Sequence, residues 1–438
     1  MKRNALTYLA HWKADKLRKP LLIKGARQVG KTWLMKSFGK TDFENVIYVN
    51  FEKDKLLQNL FEQDFDIQRI LLALKIHSGI TAVPEKTLLI FDEIQEAKGA
   101  LTSLKYFSED APEYHIIGAG SLLGIALHQT SFPVGKIDFM ELHPLSFGEF
   151  LQALGENELY ALLQQNDWQM IHIFRERYTE SLRQYYFTGG MPEAVYYFSM
   201  EKDFAGVRKI QDNILTAYQQ DFSKHAPNEI VPRIRMLWNS VPSQLSKENK
   251  KFIYGLIKEG SRAKEYENAL NWIEDYGLML RVNRVTKPAL PLKAYTDNKA
   301  FKLYISDVGL LGALAGLNEK VLLEGNRLFT EFKGALTEQY VLQQLVAENN
   351  IRPFYWSEEK STGEIDFIIE HQNHIIPIEV KAEENLQAKS LKFFHQKYEP
   401  PVSIRTSLSD YRKESWLLNI PLYGIGQVNQ VLNFEEII

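Results

Sequence analysis

The stretch GARQVGKT, Gly25 to Thr32, restricts what this chain can fold into more than any other segment. It fits G-x-x-x-x-G-K-[ST] at every position, follows a short apolar strand (Leu21–Ile23) and opens a helical pattern. Gly25 and Gly30 let the backbone curl around an anion. The N–H groups of Ala26, Arg27, Gln28, Val29 and Gly30, and those of Lys31, Thr32 and Trp33 at the helix start, present positive partial charge. Lys31 is placed to reach β- and γ-phosphates, and Thr32 to ligate Mg²⁺. A parallel, doubly wound sheet is expected around it, because short apolar strands alternate with helical patterns. The segments LLIKG, VIYVNF, TLLIFDE and HIIGAGS, each followed by turn or helix signals, supply its strands between about 20 and 145.

LLIFDE, Leu88 to Glu93, is the expected partner of the loop. Four apolar residues predict a buried central strand. Asp92 at its end would hold the Mg²⁺ shell, and Glu93 would orient and deprotonate water. Ser121, at the end of HIIGAGS, is either a γ-phosphate sensor or a strand-ending turn. Phosphoryl transfer also calls for a cation on the developing charge. Lys136 stands in a plausible position after the fourth strand, and Arg175, Arg177 and Arg183 follow, with nothing in the sequence to aim any of them.

A second constellation lies in GEIDFIIEHQNHIIPIEVKAE, Gly363 to Glu383. Two alternating strands joined by a short turn carry Asp366, Glu379 and, two residues on, Lys381. Upstream, Glu338 sits on a long helical pattern, NRLFTEFKGALTEQYVLQQLVAEN. Asp366 and Glu379 on adjacent strands are candidates to converge on one divalent cation. Lys381, on the same strand face as Glu379, would position water or neutralise a phosphate. The competing reading is a hairpin with a solvated polar face. Ile365, Phe367, Ile368, Ile376, Ile378 and Val380 argue against it, because they predict buried strands in which acids need partners.

Between the two, residues 201–300 hold 17 Lys and Arg against 12 Asp and Glu, in a chain of net charge -3. The segment from Lys247 to Val285 reads helix, turn, helix, then a β-hairpin arm. With Arg262, Lys264, Arg281, Arg284 and Lys287 it predicts a winged-helix DNA-binding region, or else a helical linker with a charged face. The chain has no Cys, which excludes thiolate zinc sites and cysteine nucleophiles. It has no H-x-x-x-H or H-E-x-x-H pair and no G-x-S-x-G elbow. No signal peptide or membrane span is read, so a cytoplasmic location is expected.

The order of these pieces resembles the prokaryotic AAA-type ATPases that carry a C-terminal domain of unknown function. The carriers are GARQVGKT, LLIFDEIQ, GAGS, HPLSFGEF, FTGGMPEAV, EIDFII and PIEVKAE, across nearly the whole chain. The resemblance implies an α/β architecture in four parts: a AAA+ P-loop domain over 1–150, a helical connector over 151–200, a winged-helix-like region over 201–324, and a restriction-endonuclease-like domain over 325–438. It implies ATP and Mg²⁺ as cofactors, with Thr32 and Asp92 at one metal and Asp366 and Glu379 at another. Lys31, Thr32, Asp92 and Glu93 match the Walker positions. Asp366, Glu379 and Lys381 match the nuclease acids and lysine, and Glu338 matches the helical acid. Many relatives have Gly-Arg where this chain has Gly135-Lys136, and Pro where it has Ile365. The expected partners are ATP or ADP, DNA and further copies of the chain, with no membrane. Two functions remain open: an ATP-dependent DNA-processing enzyme with a Mg²⁺-dependent nuclease domain, or an ATP-switched DNA- or protein-binding regulator whose nuclease-like domain does not cut.

Overall fold

The six residues Thr87–Asp92 are buried throughout, and around this strand the N-terminal sheet is built. The computed structural model describes residues 1–126, 135–247, 250–318, 330–358, 363–383 and 388–433. Residues 326–329 of the predicted long helix, and 248–249 within the predicted helix–turn–helix, lie outside the described residues. The strands are β1 (Leu21–Lys24), β2 (Asn45–Asn50), β3 (Thr87–Asp92), β4 (His115–Ala119) and β5 (Asp138–Glu141). They form a sheet of order β2-β3-β4-β1-β5, and every neighbouring pair is parallel. The connections run through helices, as parallel pairing demands. Asp54 and Asp66 start two of these helices, each accepting a hydrogen bond from a backbone N–H three residues on. Leu22, Ile47, Leu89, Phe91, Leu104 and Ile116 belong to the core that packs against the sheet.

The described residues divide into two compact units. One is Lys2–His143 together with Trp272–Leu278, and the other holds Pro144–Asn271 and Met279 onward. No helix among the described residues is long and apolar enough to cross a membrane.

The second unit begins as helices. Its Gly189-Gly190 turn, in the FTGGMPEAV segment, exists because a carboxylate comes close. A Cβ on Gly189 would lie 2.1 Å from Asp307 Oδ1, and the Gly190 N–H donates to Asp307 Oδ2 at 2.5 Å. Its sheet contains β6 (Met279–Val285), β7 (Thr296–Ile305), β8 (Phe354–Ser357), β9 (Glu364–His371), β10 (His374–Val380), β11 (Ser403–Ser407), β12 (Arg412–Lys413) and β13 (Leu417–Pro421). Their order is β12-β13-β11-β10-β9-β8-β6-β7. The predicted hairpin is β9–β10, turned by Gln372 and Asn373, both at positive φ as a two-residue hairpin loop requires. Helix Lys389–Tyr398 carries the chain from β10 to its parallel neighbour β11.

Two expectations about the middle region change. The hairpin β6–β7 is not a free arm, because β6 pairs in parallel with β8 and extends the sheet. Where the first helix of the Lys247–Val285 segment is expected, the described residues hold a short 3-10 turn, Tyr254–Leu256. There the Phe252 N–H donates to the Phe301 carbonyl and the two rings stack at 5.2 Å, so this segment is drawn onto β7 instead. Helix Ala263–Asp275 forms as read. The late strand read in NIPLYGIGQV ends at Pro421, and Leu422–Gln427 continues as a buried 3-10 helix.

Candidate functional site

The phosphate loop is shaped by two glycines that no other residue replaces. Gly25 has φ +143°, and a Cβ there would lie 2.2 Å from the Leu142 carbonyl oxygen. Gly30 has φ +97° and sits at the start of helix Lys31–Asp42. Val29 is buried and its carbonyl accepts from Arg3 Nη1 at 3.0 Å, which anchors the far side of the loop. Gln28 is exposed at φ +69°, and Trp33 is 45% exposed on the following helix.

The sheet order brings the sequence-predicted residues together. β1, β3 and β4 end side by side, where ligands of open parallel sheets bind. Thr32 Oγ1 donates to Asp92 Oδ2 at 2.7 Å. Lys31 Nζ donates to the Gly25 and Ala26 carbonyls at 2.8 and 2.9 Å. Burial pushes this ammonium down to about 8, against the upward pull of Glu93 and Asp92. A phosphate chain would supply the countercharge that burial denies it. Glu93 adopts a left-handed conformation, φ +49°. Its Oε2 accepts from Gln95 Nε2 at 2.8 Å, from the Ser121 N–H at 3.2 Å and from Ser121 Oγ at 3.3 Å. Ser121 therefore faces the same acid the sequence singled out.

Several residues escaped the sequence reading. Tyr48, on β2, donates its hydroxyl to Asp92 Oδ2 at 2.8 Å, and burial raises the phenol to about 12, so it stays a donor. Its only trace in the sequence is a polar tip within an apolar strand. Gln95 and the Leu142 carbonyl act through space and leave no spacing signal. Gly277, from the returning segment Trp272–Leu278, comes up against the loop: a Cβ on it would lie 3.1 Å from Ala26 N. Lys136 pairs with Glu109 at 2.9 Å, Arg175 with Asp410 at 3.5 Å and Arg177 with Glu156 at 2.5 Å.

In the second unit, Glu338 is buried on helix Thr330–Asn349. Its Oε1 is 2.5 Å from Lys250 Nζ; its Oε2 accepts from Tyr304 OH at 3.0 Å and lies 3.7 Å from Lys302 Nζ. Burial pushes this carboxyl up, but Lys250 and Lys302 outweigh it and hold it at about 2. Asp366 Oδ2 accepts from the Val380 N–H at 2.8 Å, which ties β9 to β10. Burial and the Glu338 charge raise the Asp366 carboxyl to about 7, with Lys302 and Lys250 opposing. Glu379 Oε1 is 2.6 Å from Lys381 Nζ, while its Oε2 is buried without a hydrogen-bond partner among the described residues. Glu338 and Asp366 thus share one ion-pair cluster with Lys302, and Glu379 pairs along its own strand. Among the described residues, no group of three or more His, Asp or Glu is arranged to hold a metal ion.

Comparison with known proteins divides the chain in three. Residues 17–151 match the family model described as AAA domain. Residues 179–321 and 333–423 match two models described as domains of unknown function, DUF8612 and DUF4143. No curated protein matches. Among solved structures, the Walker-type ATPase PABY2304 of Pyrococcus abyssi is 16% identical, with 72% of this chain and 95% of that one covered, at TM-score 0.44. The RuvB Holliday junction branch migration motor of Thermotoga maritima is also 16% identical, covering 73% and 82%, at TM-score 0.28. The Aeropyrum pernix ORC1 protein in complex with DNA is 12% identical, covering 71% and 90%, at TM-score 0.26. Likenesses this distant carry no argument about function. The AAA assignment rests on the family match and on the loop, strand and acids described above.

Proposed function

With a AAA-type ATPase domain in residues 17–151 as the premise, we propose that the chain is an ATP-driven switch acting on DNA. Its nucleotide state would control a C-terminal domain with a restriction-endonuclease-like fold that binds without cutting. One observation carries the ATPase half: Thr32 Oγ1 and the Asp92 carboxylate meet at 2.7 Å beside the phosphate loop, with Glu93 next in the chain. These hard oxygen donors fit Mg²⁺. Thr32 and Asp92 would hold the ion, which when bound would offset the charge of the phosphates. Lys31 would exchange its two loop carbonyls for phosphate oxygens, and the loop N–H groups would fix the phosphate chain. Glu93, freed from Gln95 and Ser121, would take the proton of the attacking water, and Ser121 would then face the γ-phosphate. The cations Lys136, Arg175 and Arg177 are engaged in ion pairs. A second copy of the chain is therefore the proposed source of charge on the transition state.

Support for the C-terminal fold is topological: helix Thr330–Asn349, the antiparallel run β8–β9–β10, a crossover helix, then parallel β11. Support for DNA as partner is the positive excess over 201–300, with Lys258, Arg262 and Lys264 exposed. A labelled duplex titrated with protein in ADP and in a non-hydrolysable ATP analogue tests the switch. The proposal expects affinities that differ between the two states and weaken as salt rises. Equal affinity in both states, or no binding at low salt, would reject it.

The second reading is Mg²⁺-dependent cleavage. The observation favouring it is Glu379 Oε2, buried and unpartnered one strand from Asp366, with Lys381 beside it. Plasmid nicking in Mg²⁺ by the wild type, lost in Lys381→Ala, would establish this reading over the first.

A further inference from the structure

Lys302, with Lys250 and Tyr304, reaches the C-terminal acid cluster from another part of the chain. It lies on β7, within the residues matched by the 179–321 family model, whereas Glu338, Glu364 and Asp366 fall in the 333–423 match. Its side chain is 0% exposed. Its Nζ lies 2.5 Å from Glu364 Oε1, 3.7 Å from Glu338 Oε2 and 3.9 Å from Asp366 Oδ1, and 5.1 Å from the Tyr355 ring centroid. The pairing of β6 with β8 delivers β7 to this place. A buried ammonium is expensive unless carboxylates surround it, and buried carboxylates are expensive unless a cation does. Here each answers the other.

We infer that Lys302 is a built-in cation that takes the place of a divalent metal among Glu338, Glu364 and Asp366, so that these acids take no metal while it is in place. Mg²⁺ demands about six oxygens at roughly 2.0–2.1 Å in near-octahedral geometry. Glu338 has given both its oxygens to Lys250, Tyr304 and Lys302. Asp366 Oδ2 is committed to the Val380 N–H. A divalent ion entering the cluster would meet two ammonium groups in a medium of low dielectric, where like charges repel strongly. Burial pushes the Lys302 ammonium down, yet Glu364 and Glu338 hold it well above its ordinary range, so it stays charged. The cluster also gives the middle region a reason to pack on the C-terminal strands: without Lys302 the acids would keep only Lys250 as countercharge.

This inference rests on the reading that the domain does not cut, and one experiment separates the two. Mn²⁺ binding is measured by electron paramagnetic resonance on nucleotide-free full-length chain carrying Asp92→Ala, which silences the phosphate-loop site. Two further proteins add Lys302→Met or Asp366→Ala to that background. With Lys302 present, no Mn²⁺ binding dependent on Asp366 is expected. With Lys302→Met, Mn²⁺ should bind at least tenfold more tightly, and the melting temperature lost by the substitution should rise again as Mn²⁺ is added. Mn²⁺ bound with Lys302 present and released by Asp366→Ala would overturn the inference, even if no DNA were cut. A folded Lys302→Met protein that gains no Mn²⁺ would overturn it too. Should Lys302→Met fail to fold, the Asp366-dependent binding measured with Lys302 present decides alone. Plasmid cleavage without such binding would instead strike the non-cutting reading and leave Lys302 as the cluster's cation.

Discussion

At the scale of single residues, the sites are set by close approaches and by burial. Gly25 has its backbone in a region closed to other residues and a carbonyl where a Cβ would be. Gly25→Ala should lower stability by on the order of 2 kcal/mol or more and abolish ATP binding, read by thermal melting with and without nucleotide. His115 illustrates burial. It is 1% exposed, edge-on to Trp12 and Phe43 and beside Arg18. Desolvation, with Arg18 adding to it, pushes its pKa down to about 4. An unfolded histidine takes its proton near 6.5, so between those values the unfolded state binds more protons. The stabilisation is complete above about pH 6.5 and is lost as pH falls toward about 4, at up to roughly 1.4 kcal/mol per unit. Denaturant melts across that window should show this slope, and His115→Phe should flatten it; an unchanged slope in the variant would assign it to other groups. Gly25, Lys31 and Thr32 were legible as candidates because a phosphate loop is a local spacing, and Asp92 and Glu93 because an apolar run ends in two acids. Tyr48 and Lys302 were not, because a residue's partner across a sheet leaves no mark at a fixed distance along the chain.

At the scale of elements, the strongest constraints are carboxylates that end one element and start another. Asp307 caps helix Val308–Leu314 through the Leu310 N–H at 3.0 Å and also accepts from Gly190 and from Gln343 Nε2. Its neighbour Gly189 ends helix Arg175–Thr188. Asp307→Ala would strand three buried donors and should cost about 3 kcal/mol, measured by chemical denaturation, while Asp307→Asn, which keeps acceptor oxygen, should cost less. A loss below about 1 kcal/mol in the Ala variant would mean the joint is held by packing alone. The strands β9 and β10 were legible from alternation and from the turn residues between them. The hairpin β6–β7 was legible as a hairpin but not as sheet, because alternation marks a strand without naming its neighbour. The 3-10 turn at Tyr254–Leu256 was missed for a related reason: stacking of Phe252 on Phe301 overrode a helical pattern containing Gly255 and Gly260.

At the scale of the molecule, the chain does not pass through its two units once each. It leaves the nucleotide-binding unit at His143 and returns to it for Trp272–Leu278, directly after helix Ala263–Asp275 and before β6. The returning Gly277 lies against the phosphate loop, and the next strand but one carries Lys302. Gly277 and Lys302 are thereby joined by about 25 residues of continuous chain, the covalent path the proposed switch would use. That path could not be read in the sequence, where 272–278 looks like any helix end. All of it presupposes that the phosphate loop turns over ATP. Steady-state phosphate release by wild type, Lys31→Ala and Glu93→Gln, with ATP binding measured in parallel, tests this most directly. The wild type should turn over ATP, Lys31→Ala should bind none, and Glu93→Gln should bind ATP with turnover reduced on the order of a hundredfold or more. Turnover by Glu93→Gln equal to wild type, or a wild type that binds no ATP in Mg²⁺, would contradict it.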